Sequence, residues 1–182
     1  MKKVLIIAAD GFEEIEMLAV ADILRRLEVQ VTIAALPDEF AVTGAHQITV
    51  QPDALFSEVD TSAYDALFLP GGMPGAANLY ASDAVVELVR QMHSAGKIVS
   101  AICAAPIVLA KAGVLTDGAF TIYPGFEKYL NGLHATGEAA AAAGNVITGK
   151  GPGAVFDFTA LLVQALGLAD ECSALYPAMF IK

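Results

Sequence analysis

A chain of 182 residues suits one domain, spanning 1–182 and large enough to bury a substantial core. Hydrophobic residues make up 56% of it and charged residues 16%, yet no apolar run reaches the length that would cross a membrane. A formal net charge of −10 argues against nucleic acid as a main partner, because phosphate binding needs Lys and Arg to displace counterions.

The N-terminal Met1-Lys-Lys-Val-Leu-Ile-Ile-Ala-Ala-Asp10 starts basic and turns apolar, but Asp10 interrupts it too early for a secretory leader. It reads as a first strand, Lys3–Ala8, covered on both faces, and cytoplasm is the expected compartment. Asp10-Gly11 turns the chain. Glu13, Glu14 and Glu16 then crowd a helix start, where the dipole alone suffices to favour acids, and the helix runs to about Leu27. Val29–Leu36 follows as a second, parallel strand. From Asp38 to Gln51 the pattern is a short hairpin standing off the sheet: Phe40–Thr43, a turn at Gly44, then Ile48–Gln51. Ala66–Leu69 is a third core strand. It ends in Pro70-Gly-Gly-Met-Pro-Gly75, a Gly-rich loop at the carboxyl edge of the sheet without the ending of a phosphate loop.

Ser82 is placed to cap a helix over Asp83–Ala95, with Gly96 as its stop. Ile98–Ile102 then runs straight into Cys103. A helix follows with Pro106 in its opening turn and Gly113 as a left-handed stop. Such a corner lifts its residue out of the sheet's top edge and points a thiol at the positive end of a helix, which favours thiolate. A cysteine in an apolar run is equally consistent with a small packed hydrophobe, so both readings stay open. Phe120–Tyr123 reads as a short strand broken by Pro124-Gly125, and Lys128–Ala135 has no clear preference. Glu138–Gly144 is alanine-rich but too short for an independent helix. Asn145–Thr148 resumes strand character, and Gly149–Gly153 is a tight loop before a final helix over Ala154–Leu166, ended by Gly167. Ala169–Lys182 is a tail packed on the body. Cys103 and Cys172 form no disulfide framework. With His46, His93 and His134 scattered, no metal site assembles from neighbours, and no metal is expected. Cys172 is assigned to packing, and His93 and His134 to the surface. The elements add up to an α/β fold with a doubly wound sheet and a small accessory hairpin.

Four segments, Asp10-Gly-Phe-Glu-Glu-Ile-Glu16, Leu69-Pro-Gly-Gly-Met-Pro-Gly75, Ala101-Ile-Cys-Ala-Ala-Pro106 and Lys150-Gly-Pro-Gly153, together resemble the ThiJ/PfpI superfamily, also called the DJ-one/PfpI family. Within it the chain looks most like the branch of the parkinsonism-associated protein deglycase and its bacterial relatives. The motifs occur in family order over nearly the whole chain. The resemblance implies a flavodoxin-like, mostly parallel sheet with helices on both faces, a homodimer, and no cofactor. It makes Cys103 the nucleophile and Glu16 the carboxyl that hydrogen-bonds its sulfur. A protonated carboxyl donating to a thiolate lowers the thiol pKa. Glu13 and Glu14 remain dipole-favoured acids. Gly72 matches a glycine whose N–H, with that of the nucleophile residue, forms an oxyanion pocket; a glycine needed only for the turn fits as well. Ala104, Tyr123, Gly151 and Pro152 fall in the substrate-binding set. Relatives often carry histidine at the position of Tyr123, whose phenol either orients substrate or simply packs. Protease-like members have histidine where Ala104 stands, so no Cys–His dyad exists and peptide hydrolysis is not expected. Asp22, Arg26 and His46 match positions that family dimers bring near the partner's site, though charged helix residues are commonly just solvated.

The implied activity is glyoxalase or protein-deglycase chemistry in a stress-response role. Cys103 would attack a small 2-oxoaldehyde, or an early protein adduct of one, with Glu16 moving the proton. The alternative is a non-catalytic oxidative-stress sensor or redox-regulated chaperone using the same cysteine.

Overall fold

A computed structural model describes residues 1–36 and 39–181. Asp38, where the hairpin excursion was expected to begin, and Lys182, the last residue of the expected tail, lie outside them. Strand β1 (Lys3–Ala8), helix α1 (Glu14–Arg26) and strand β2 (Gln30–Ala35) form the first parallel unit. The accessory hairpin is β3 (Val42–Thr43) paired with β4 (Thr49–Val50). A two-residue strand, β5 (Ala54–Leu55), adds to the edge beside β2, and β6 (Ala66–Leu69) lies on the other side of β1. Helices α2 (Gly75–Ala81) and α3 (Asp83–Ser94) lead to β7 (Ile98–Ile102) and α4 (Pro106–Ala112). The chain closes with β8 (Ala140–Ala143), β9 (Val146–Gly149), α5 (Val155–Ala165) and α6 (Ala169–Ala178).

The main sheet has the order β5-β2-β1-β6-β7-β9-β8, parallel throughout except for β8 against β9. Side chains of a strand alternate between faces, so a strand covered on both sides reads as an unbroken apolar run. In β1, Leu5 and Ile7 join one core with α2, α3 and α4, while Val4, Ile6 and Ala8 join the other with α1 and α5. Order reverses at β1, with β2 to one side and β6 to the other. The chain leaves β1 and β6 toward opposite faces of the sheet, and the crevice where such sheets place their ligands lies at the carboxyl edge here. Among the described residues, no helix is long and apolar enough to cross a membrane.

Several local expectations need correction. Phe120–Tyr123 joins no ladder among the described residues. Its groups are used singly instead, Thr121 N–H donating to Thr148 Oγ1 at 2.8 Å and Tyr123 N–H to the Cys103 carbonyl at 2.8 Å. The alanine run becomes the edge strand β8, turned by Gly144-Asn145 with Gly144 at φ 60°. A glycine-first two-residue turn fixes hairpin register more strongly than alanine's helix propensity resists it. Helix α2 has no counterpart in the sequence pattern, because its seven residues begin inside the Gly-Pro loop. The expected tail is helix α6 up to Ala178.

Candidate active site

Three loops meet at the carboxyl edge. The first follows β1 and is stitched to the second, with Glu13 N–H donating to the Gly71 carbonyl at 2.9 Å and Gly75 N–H to that of Gly11 at 3.2 Å. This fixes where α1 starts and directs Glu16, one helical step inside, into the crevice. Glu16 is fully buried. Its Oε2 accepts from Gly71 N–H at 2.8 Å. A Cβ added at Gly71 would fall 2.6 Å from that Oε2 and 2.5 Å from Cys103 Cβ, so only glycine lets the carboxyl and the cysteine stand side by side.

The third loop is the elbow. Cys103 adopts φ 62°, a left-handed conformation that non-glycine residues rarely take and that recurs at functional corners. Pro106 occupies the first turn of α4, and Gly113 ends it at φ 76°, both as the sequence predicts. The cysteine is partly exposed, whereas Cys172 is buried. One expectation fails. The Cys103 N–H is taken by the Gly149 carbonyl at 2.9 Å, continuing the β7–β9 ladder, and is not free for an oxyanion. The backbone donors that bear on the sulfur are those of Gly72 and Ala104.

Burial pushes the Glu16 carboxyl up to about 7, against the opposing effect of Gly71 N–H and of its hydrogen-bonding interaction with Cys103. Burial also pushes the Cys103 thiol up to about 12, reinforced by the charge of Glu16 and offset by the Gly72 and Ala104 N–H groups. The acidified thiol expected from the helix dipole is thus not what the site contains, because desolvation outweighs the short helix α4. Glu16 Oε1 is buried without a partner of hydrogen-bond geometry, although the carboxyl and the thiol interact electrostatically as hydrogen-bonding groups. The two are close but not aligned, as is common before a substrate draws such groups together. Of the two groups, the carboxyl is the one held near neutrality.

The other expected residues are spread more widely. A cleft of about 560 Å³ opens beside the elbow, lined by Tyr123, Pro124, Ala139, Lys150, Gly151 and Pro152 among others. Cys103 does not line it, but Tyr123 ties its wall to the elbow through the Cys103 carbonyl. Asp22 and Arg26 pair with each other at 2.8 Å on the exposed face of α1. His46, on the hairpin turn, lies with Nδ1 2.8 Å from Glu14 Oε2. Glu14 is no solvated acid. It is covered by the hairpin and accepts from His46 N–H at 2.7 Å, pinning β3 and β4 to the start of α1. Cys172 packs as expected. His134 is exposed, while His93 is only half so, with a buried Nδ1. Gly71, Gly149 and Glu14 escape the sequence reading; the doubled glycine at 71–72 was the one available signal.

The profile of the DJ-1/PfpI family matches residues 2–165. The chain is 37% identical over 172 residues to protein dj-1beta of Drosophila melanogaster, covering 93% of this chain and 89% of that one. It is 34% identical over 167 residues to a protein named a deglycase in Pyrococcus abyssi, covering 90% and 99%. The crystal structure of a cysteine-to-alanine mutant of a DJ-1 superfamily protein from Salmonella typhimurium superposes with a TM-score of 0.93 at 34% identity, covering 100% of both chains.

Proposed function

The chain belongs to the DJ-1/PfpI family, and on that premise we propose that it is a cysteine-dependent enzyme converting small 2-oxoaldehydes, or their early protein adducts, to 2-hydroxy acids. The observation that supports this is a carboxyl held near pKa 7 beside a partly exposed thiol at a strained corner. A base poised near neutral pH suits proton transfer in both directions. Cys103 Sγ attacks the aldehyde carbon while its proton passes to Glu16. The carbonyl π pair becomes an oxyanion facing the Gly72 and Ala104 N–H donors and takes a proton from Glu16, giving a hemithioacetal. The Glu16 carboxylate then removes the C1 proton and returns it to C2, as the C1 hydroxyl proton moves to the C2 oxygen. The resulting 2-hydroxyacyl thioester is cleaved by water, restoring the thiol. C1 is oxidised and C2 reduced within one molecule, so the reaction needs no external electron carrier. The test is lactate formation from methylglyoxal by wild type and by Cys103→Ser. Wild type is expected to produce it and the variant not; equal rates, or none in either, would sink the proposal.

A second reading keeps the site but not the turnover. Cys103 is partly exposed and Cys172 buried, which favours selective oxidation of the first. Mass spectrometry after mild peroxide is expected to find two added oxygens at Cys103 and none at Cys172.

A further inference from the structure

Beyond the elbow, the 560 Å³ cleft has apolar walls, formed by Tyr123, Pro124, Ala139, Pro152 and Ala154, and a single charged residue, Lys150. The lysine is held by its backbone, N–H donating to the Ala139 carbonyl at 2.9 Å. Its ammonium donates to the Gly137 carbonyl at 2.8 Å, a neutral acceptor, and among the described residues no carboxylate pairs with it. Arg25, Arg26, Arg90 and Lys111 each have an acid partner, whereas Lys150, like Lys2, Lys3, Lys97 and Lys128, has none among the described residues. An ammonium has three protons, so one bond to Gly137 leaves donors for a ligand. The Gly137 carbonyl that holds the ammonium lines a second cleft, with Glu127 and His134, where the Glu127 carboxylate disfavours an anion; an anion in the Tyr123 cleft would draw on the ammonium's remaining donors. Position ties the cleft to the chemistry. Gly149, which precedes Lys150, takes the Cys103 N–H, and Tyr123 N–H donates to the Cys103 carbonyl.

We propose, resting on the reading above, that Lys150 makes this cleft a subsite for an anionic tail, and that the preferred substrate is a 2-oxoaldehyde bearing a terminal carboxylate. The aldehyde end meets Cys103, the apolar walls cover the carbon chain, and Lys150 takes the carboxylate. Low-dielectric walls around one charge strengthen such selection.

The test that does not depend on turnover compares Cys103 alkylation by iodoacetate and by iodoacetamide, reagents of similar size and different charge, read on the Cys103 peptide at low ionic strength. Lys150→Gln is expected to lower the iodoacetate-to-iodoacetamide rate ratio roughly fivefold, the effect of one unit charge near a solvated wall. Lys150→Arg is expected to keep the wild-type ratio. A ratio unchanged in Lys150→Gln, or lost equally in Lys150→Arg, overturns the subsite. With substrates, the KM for 4,5-dioxopentanoate is expected to rise in Lys150→Gln relative to that for methylglyoxal; parallel changes for the two overturn the carboxylate preference. Should wild type convert neither aldehyde, the enzymatic reading fails, and with it the substrate assignment, while the alkylation ratio still decides whether the cleft selects anions.

Discussion

Glu16 is the residue on which the proposed chemistry turns, and its environment gives a pH profile with a sign. Burial raises its carboxyl to about 7, so below that pH the carboxyl is protonated and cannot take the thiol proton. Cys103 alkylation by a neutral reagent is therefore expected to climb through a midpoint near 7 in wild type. In Glu16→Gln that step disappears, and reactivity rises only with the thiol's own ionisation at higher pH; stopped-flow alkylation across pH distinguishes the two. Gly71 is the second test. A methyl there meets both the Glu16 carboxyl and Cys103, so Gly71→Ala is expected to separate them. A displacement of about 1 Å at reacting groups can cost about a hundredfold in rate. Lactate assays with a parallel circular-dichroism melt would separate that loss from unfolding.

At the scale of elements, the elbow was plain in the sequence because each part has a local cause: a β-branched run, a proline in the first turn, a glycine stop. The place of Glu16 was not derivable that way. It stands among three acids that a helix dipole would favour alike, and the one that enters the crevice is selected by stitching between loops more than fifty residues apart. The resemblance to a family pointed at Glu16, yet gave no warning that the Cys103 N–H is consumed by Gly149. Neither did it single out Glu14, whose surroundings are made by a hairpin folding back. Covering by that hairpin raises the Glu14 carboxyl, but bonds from the His46 side chain and from backbone N–H groups more than compensate, and its pKa falls below 4.5. The same bond raises the His46 imidazole above 6.5. Stability from Glu14 is present above 4.5 and lost as pH falls through its lowered value. Stability from His46 is present below 6.5 and lost as pH rises through its raised value. Exchange protection of the His46 and Ile48 amides, relative to core amides, is expected to peak between those limits. Glu14→Gln is expected to flatten the peak.

For the molecule as a whole, Ile15 and Leu18 lie one helical step apart and stand exposed on α1, and Ile48 is exposed on the hairpin beside it. A homodimer through this face is what family membership leads us to propose. Sedimentation is expected to show a dimer for wild type and a shift toward monomer for Leu18→Glu. The sealed position of the Glu16 carboxyl carries a cost for the entire fold. A carboxyl whose pKa is higher folded than unfolded supports the native state below pH 4.5, and that support drains away as pH rises toward 7. At pH 8 the loss is about 3 kcal/mol, a sizeable fraction of what holds an ordinary domain together. Glu16→Gln, which has no charge to strand, should therefore melt at a higher temperature than wild type in mildly alkaline buffer and show little advantage in acid. Breeding this protein for heat tolerance would then tend to discard the very carboxyl to which the proposed reaction assigns its proton transfer.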